Sequence, residues 1–346
     1  MNETNKIKVG IIGGTGYTGK ELLTLCSNHP KIDSISIFAQ STAGKSIYDI
    51  FPDLVGLMND IVVKSADEID YSLDIYFIAL PHGISLKFVP ELIKKGKKVV
   101  DLGGDFRLNS VDLYKKWYKF DHSESDLLSE KTYGLADTLD SSNYEKSLIA
   151  NPGCYPTSVL LGLIPFIQTY SKKVLSISTV SYSGTSGAGK APNASLLLSE
   201  MHGNAKAYNL NSHRHEPEIL QVLVEKGLGG APFSFSTHLL PLASGIYSTS
   251  VIHLKENLDE SEVKSVYLNY YKNSPFVRLR ETPPEIRWVL GTNFCDINLS
   301  TGEKRIIITS SIDNLIKGAS GQAVQNMNKL YDWDERLGIL PRRQTL

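Results

Sequence analysis

Ile7–Ile12 is a short β-branched run that predicts a buried strand, followed by glycines and a helical stretch near Lys20–Asn28. Apolar runs at Asp33–Ala39, Leu73–Ala79 and Lys98–Leu102 predict three more strands, with a helical pattern, Ile84–Lys95, before the last. Strand and helix in alternation predict a parallel sheet covered on both faces. From Asn109 to Ser147 charge, Ser and Asp increase and periodicity weakens, as in a peripheral segment or a domain crossing. Beyond Pro152 a helix is expected at Thr157–Thr169, a strand at Val174–Ser181 and a Gly/Ser loop at Ser183–Lys190. Further strands are expected at Ser234–Leu240, Ile246–Leu254, Asn293–Leu299 and Lys304–Ser311, with few helices between them, an α+β pattern. A last helix, Gln322–Leu330, suits either half.

The fold class expected is therefore α/β, a Rossmann-type dinucleotide-binding domain followed by an α+β domain. A chain of 346 residues exceeds the usual single core, which also favours two domains. The formal net charge of −1 offers no basic surplus for nucleic acid or a membrane surface, so neither partner is expected. Met1–Lys8 lacks the apolar core of a signal peptide, and no apolar run reaches the roughly 18–20 residues that span a bilayer. Cys26, Cys154 and Cys295 are odd in number and far apart, which fits neither a disulfide framework nor a CxxC metal site. A cytoplasmic protein follows as the expectation.

Four motifs carry candidate chemistry. Gly10-Ile11-Ile12-Gly13-Gly14-Thr15-Gly16-Tyr17-Thr18-Gly19 lies between a predicted strand and a predicted helix. Glycines there let the backbone approach a pyrophosphate at the helix N-terminus, making Gly13, Gly14, Thr15 and Gly16 candidate cofactor residues. The end of the second strand, Phe38–Lys45, holds no acid for a ribose diol, so the reading is NADP(H), with Gln40, Ser41, Thr42 and Lys45 beside the 2′-phosphate. Asn151-Pro152-Gly153-Cys154-Tyr155-Pro156-Thr157 presents a cysteine before a helix, where dipole and N–H groups favour a nucleophilic thiolate. The rival reading, a small buried thiol, is assigned to Cys26 and Cys295.

Asn211-Ser212-His213-Arg214-His215-Glu216-Pro217-Glu218-Ile219 clusters two histidines with acids. With Pro217 at a first helical position, the histidines are expected in the preceding loop. Either histidine suits a general acid–base; helix capping and metal binding are the rivals, but no further ligand cluster is evident and no metal is expected. Ser183-Gly184-Thr185-Ser186-Gly187-Ala188-Gly189-Lys190 could bring backbone N–H groups to a phosphate or a nicotinamide amide, although Ala191 breaks the P-loop pattern. That loop nominates Gly187 for the cofactor and Ser183 and Gly184 for the substrate. Arg107, in Asp101–Leu108, is a candidate bidentate partner for a phosphate or carboxylate.

In this order the motifs resemble the N-acetyl-gamma-glutamyl-phosphate reductase family, within the semialdehyde dehydrogenase superfamily. The resemblance runs from Gly13 to Leu346 and includes Ala43-Gly44-Lys45, Ala79–Gly83, Tyr133-Gly134-Leu135 and Asp313–Ala323. It implies a small-molecule acyl phosphate substrate, a thioester on Cys154, and an acid–base histidine at His215 or His213, with His215 favoured. It implies that Asn314 and the helix behind it return to the cofactor domain. The domains expected are thus 1–150, completed by a C-terminal helix over 315–346, and 151–314, catalytic and oligomerising. A homodimer or homotetramer is implied too. Two features depart from the family's pattern: Gln40 stands where an arginine is frequent, and Ala136-Asp137 replaces a usual Pro-Glu. An aspartate-semialdehyde dehydrogenase is the sibling alternative, and a non-catalytic NADPH-sensing regulator the alternative of another class.

Overall fold

A computed structural model describes residues 6–339. They form two compact units, one of residues 6–152 and 319–339, the other of residues 153–318.

The first unit is built on a six-stranded sheet of order β2-β1-β3-β4-β6-β5. Its strands are β1 (Ile7–Ile12), β2 (Ile32–Phe38), β3 (Ile75–Ile78), β4 (Lys98–Asp101), β5 (Thr132–Tyr133) and β6 (Leu148–Ala150), all paired in parallel. Helices α1 (Tyr17–Ser27), α2 (Ile47–Ile50), α3 (Val89–Lys94), α4 (Val111–Trp117) and α5 (Ser125–Glu130) belong to this unit. The central strands are apolar on both faces, as β3 shows with Ile75, Tyr76, Phe77 and Ile78 all at 0% exposure, because helices cover a parallel sheet from both sides. The helix expected at Ile84–Lys95 is shorter and starts late: a 3₁₀ turn, Ser85–Lys87, precedes α3, and Pro90 stands in the first turn of α3, where its missing N–H costs nothing.

The second unit has a seven-stranded mixed sheet of order β11-β12-β13-β10-β7-β9-β8. The strands are β7 (Val174–Ser183), β8 (Lys206–Tyr208), β9 (Phe233–Leu239), β10 (Ile246–Leu254), β11 (Val277–Leu279), β12 (Cys295–Gly302) and β13 (Arg305–Ile312). Helices α6 (Cys154–Tyr170), α7 (Leu198–Met201), α8 (His215–Glu225) and α9 (Glu260–Tyr270) accompany them. Residues Tyr155 to Ile167 of α6 are buried without a break. Burial of each large apolar side chain stabilises by about 1.5–3 kcal/mol, so α6 is the spine of this unit. A hydroxyl cluster joins it to the sheet: Ser158 Oγ lies 3.0 Å from Ser248 Oγ and 2.8 Å from Ser310 Oγ.

The chain returns to the first unit through a π-helical turn, Ile316–Ser320, and α10 (Gly321–Leu330). The continuous helix expected over 315–346 is not formed: α10 stops at Leu330, and Asp332 takes a positive φ of 54°, which breaks helical geometry. Positions 340–346 of that expectation lie outside the described residues. The inner face of α10 is polar and engaged, Asn328 with His29 at 2.9 Å and Asn326 with the Gly134 carbonyl at 2.8 Å. Among the described residues no helix is long and apolar enough to cross a membrane.

Candidate active site

In the first unit β1 runs into the N-terminus of α1 through the glycine motif. Gly13 has φ of 86°, and a Cβ there would lie 2.4 Å from the Ala79 carbonyl oxygen, so only glycine brings the ends of β1 and β3 together. Gly14 packs on Ile37 and beneath Gly19, which lets α1 sit close on the sheet. Gly16 is the N-cap of α1; a Cβ placed on it would meet nothing within 4 Å, and the first turn carries no acid. An open, acid-free helix N-terminus after a parallel strand suits a dinucleotide pyrophosphate. Thr15 Oγ1 meets Thr42 Oγ1 at 3.4 Å, which joins the glycine turn to the loop after β2. In that loop Gln40, Ser41 and Lys45 are exposed.

Sequence reading missed one member of this loop's surroundings. The Gln40 amide Nε2 donates to Asp67 Oδ2 at 3.1 Å. Asp67 is 27 positions away, and no local pattern pairs it with Gln40. At the ends of β3 and β4, Asp105 accepts from Gly83 N–H and Ser85 N–H, while Asp101 accepts from Ser85 Oγ and Gly103 N–H. Burial and the neighbouring Asp105 raise Asp101 to about 7.

Arg107 is only 8% exposed. Its Nε donates to the Asn151 carbonyl at 2.9 Å and its Nη2 to the Leu102 carbonyl at 2.7 Å. In this structure these two bonds brace the ends of β4 and β6.

In the second unit Cys154 is the first residue of α6, three positions before the expected start at Thr157, with Gly153 as N-cap. The first turn holds no acid, and Pro156 within it carries no N–H. Cys154 is half-buried, whereas Cys26 is buried and its thiol pushed up to about 12 by desolvation. The next residue, Tyr155, lies edge-on to both histidine rings, with centroids 5.4 Å from His213 and 5.9 Å from His215. Tyr155 also shares a hydroxyl contact of 2.9 Å with Tyr208, and burial raises its phenol.

The two histidines differ. α8 starts at His215, so this histidine is helical and not in the loop as expected; Pro217 occupies the third helical position. His213 precedes the helix, and its Nδ1 accepts the His215 backbone N–H at 3.1 Å. Burial, then the Arg214 charge, lowers His213 to about 4. One turn along α8, Glu218 is fully buried and its Oε1 accepts the Gly153 N–H at 2.8 Å.

The Gly/Ser loop is tied down. The N–H groups of Gly184, Thr185 and Ser186 donate to the carbonyls of Gly245, Leu242 and Ala243, each at 2.9 Å. The Gly184 N–H is thus engaged within the fold. Ser183 is buried, with its hydroxyl on the Gly184 carbonyl, and Gly187 is exposed at the crest. Asn314 holds the loop from below, accepting from Gly245 N–H at 2.7 Å and donating to Ser186 Oγ at 3.0 Å. Behind Cys154 stands Gly318, whose added Cβ would lie 2.7 Å from the Cys154 Cβ. Among the described residues no group of three or more His, Cys, Asp or Glu is placed to hold a metal ion.

Residues 8–168 match the semialdehyde dehydrogenase NAD binding domain, and residues 154–314 match the semialdehyde dehydrogenase dimerisation domain. The aspartate semialdehyde dehydrogenase II of Vibrio cholerae, solved with ASA, superposes with a TM-score of 0.71 at 18% identity, over 95% of this chain and 99% of that one. Fold and domain matches thus define the class, a two-domain semialdehyde dehydrogenase. Within it, the N-acetyl-gamma-glutamyl-phosphate reductase of Pelotomaculum thermopropionicum is 42% identical over 339 residues, 96% of this chain and 97% of its own. That of Campylobacter jejuni subsp. doylei is 41% identical, over 96% and 98%. The chain belongs to the N-acetyl-gamma-glutamyl-phosphate reductase family.

Proposed function

We propose that this chain reduces an N-acyl-γ-glutamyl phosphate, with acetyl as the acyl group, to N-acyl-glutamate 5-semialdehyde and phosphate, a step of arginine biosynthesis. The observation that carries this reading is Cys154 at the acid-free N-terminus of a 17-residue helix, beside a tyrosine that touches both histidines. The aspartate-semialdehyde alternative rests on fold likeness at 18% identity, against reductase relatives at 42% and 41%.

The Cys154 sulfur attacks the acyl carbon, phosphate departs, and a thioester forms. Backbone N–H groups in the first turn of α6, at Cys154 and Tyr155, are the candidate donors to the oxyanion. Bound NADPH supplies the hydride that takes the thioester to the aldehyde level. The open N-terminus of α1, with Gly13, Gly14, Thr15 and Gly16, would hold its pyrophosphate, and Ser41, Thr42 and Lys45 would face the 2′-phosphate. Gly187, in the loop after β7, and Asn314, which holds that loop, would bound the nicotinamide. His215 takes the Cys154 thiol proton as the sulfur attacks and returns it to the sulfur as the aldehyde leaves. His213, neutral and engaged in capping α8, supports that division. Residues 6–152 with α10 act as the cofactor domain, and residues 153–318 as the catalytic and oligomerising domain of a homodimer or homotetramer. Three free cysteines suit a cytoplasmic enzyme.

The test is turnover of N-acetyl-γ-glutamyl phosphate with NADPH by the wild type and Cys154→Ser. Turnover should vanish in the variant while NADPH binding persists. A variant that keeps a tenth of the activity would exclude the thioester.

A further inference from the structure

We propose that Glu218 is a positioning residue for the nucleophile: its carboxylate, carried on the helix of His215, anchors the backbone from which Cys154 projects. This inference rests on the reading of Cys154 as nucleophile.

The N-cap of α6 is Gly153, at φ −67° and ψ 157°, and it has no side chain with which to cap the helix. Glycine is the residue least able to hold one backbone conformation, so the geometry at the start of α6 must be imposed from outside. The Gly153 N–H donates to Glu218 Oε1 at 2.8 Å, within the normal range for an N–H···O bond. Glu218 is fully buried, and a carboxylate is withdrawn from water at high cost unless it is engaged. It stands three positions after His215 in the first turn of α8, so one helical turn carries both the acid–base histidine and the anchor of the thiol's helix. The partners are 65 positions apart, and no motif spacing joins them. The bond thereby ties the sulfur's starting point to the imidazole's helix, and a small displacement of reacting groups has a large effect on rate.

A charge role makes the opposite demands on the same residue, and two variants separate the roles. Glu218→Gln keeps the chain length and a carbonyl oxygen for Gly153 N–H but removes the charge. Glu218→Asp keeps the charge but withdraws it by one methylene. Each is made in the full-length protein and followed by iodoacetamide labelling of Cys154 with mass mapping, and by kcat and KM with NADPH.

If Glu218 positions the thiol, the Gln variant labels within about threefold of wild type, and the Asp variant is slowed about tenfold or more. In turnover the Asp variant should lose kcat with KM for NADPH unchanged. Fast Asp and slow Gln would assign the effect to charge and overturn the proposal. Equal rates in both variants, or an Asp variant that does not fold, would reduce Glu218 to a packing role and overturn it too. Labelling needs no substrate. A wild-type Cys154 no faster than Cys26 or Cys295 would refute the nucleophile reading itself, whereas the expected Gln/Asp contrast without turnover of the acyl phosphate would refute only the substrate.

Discussion

His213 Nδ1 accepts the backbone N–H of His215 at 3.1 Å, so the first histidine caps the helix that begins with the second. An accepting Nδ1 leaves the neutral ring with its proton on Nε2. Under the proposed function, His213 is then the structural partner and His215 the chemical one.

His215→Asn should lower kcat by about 10²–10⁴, the range for one general acid–base group, with little change in NADPH affinity. His213→Ala should reduce kcat far less and instead weaken the start of α8 by about 1 kcal/mol, as for loss of a helix cap. Parallel pH–rate profiles and denaturant titrations measure both. A large kcat loss confined to the His213 variant would reverse the assignment.

The His213 ring also makes stability depend on pH. Burial lowers it from 6.5 to about 4 in the fold, so between those values the unfolded chain binds the extra proton. Stability from this group is fully present above pH 6.5 and declines as pH falls towards 4. The interval corresponds to about 3 kcal/mol for one proton. Asp101, raised to about 7, acts with the opposite sign: its contribution is full below pH 3.8 and is lost as pH rises through 7. The two oppose each other between pH 4 and 6.5, so the wild-type curve alone does not isolate His213. The difference in unfolding free energy between wild type and His213→Ala should grow as pH rises from 4 to 6.5 and level off above. A difference constant across that range would show that the ring is not held neutral.

Asp67 places a carboxylate beside the loop after β2, where the proposed function puts the 2′-phosphate. Its carboxylate takes the Gln40 amide at 3.1 Å, where the family frequently has an arginine. Both side chains are exposed, so solvent screens the effect and a change of about 0.5–1 kcal/mol is the expected scale. Asp67→Asn should raise the ratio of kcat/KM for NADPH over NADH about two- to fivefold, measured at low and at moderate salt. An unchanged ratio would place the 2′-phosphate elsewhere.

How far the sequence reveals such relationships depends on the span of the interaction. β10 is legible to the residue, because Ile246–Leu254 alternates buried and half-buried positions in a central strand. The short strands β6, β8 and β11, of three residues each, carry too little pattern to be seen. α9 is invisible for another reason: only Val263 and Tyr267 are buried among its eleven residues, so its apolar stripe is one contact wide. Within the site, the glycine turn and the cysteine are legible since their chemistry is local. The His213 cap needs only two residues, but the position of the helix start decides it, and Pro217 suggested a start two residues late. The Glu218–Gly153 and Gln40–Asp67 bonds join distant segments and follow only from tertiary structure.

Gly318 extends the same point to the rear wall of Cys154, the proposed nucleophile. A Cβ at this position would lie 2.7 Å from the Cys154 Cβ and 3.1 Å from its Cα. Neither atom is the end of a flexible chain. The cysteine backbone is the first turn of a helix buried from Tyr155 to Ile167, and that helix does not yield locally to an added methyl. The opposing side is limited too, since Gly318 N–H donates to the Asp313 carbonyl at 2.9 Å. Gly318→Ala must therefore displace either Cys154 or the turn of Ile316–Ser320. A shift of the sulfur near 1 Å costs about 10²-fold in rate. The variant should fold, bind NADPH as wild type through the first-unit glycine motif, and lose about 10²-fold in kcat. Labelling of Cys154 with iodoacetamide would change less than turnover, because a small alkylating agent does not require the geometry that hydride transfer does. Wild-type kcat in Gly318→Ala would mean that the turn, not the cysteine, gives way, and that the thiol's place does not depend on this glycine.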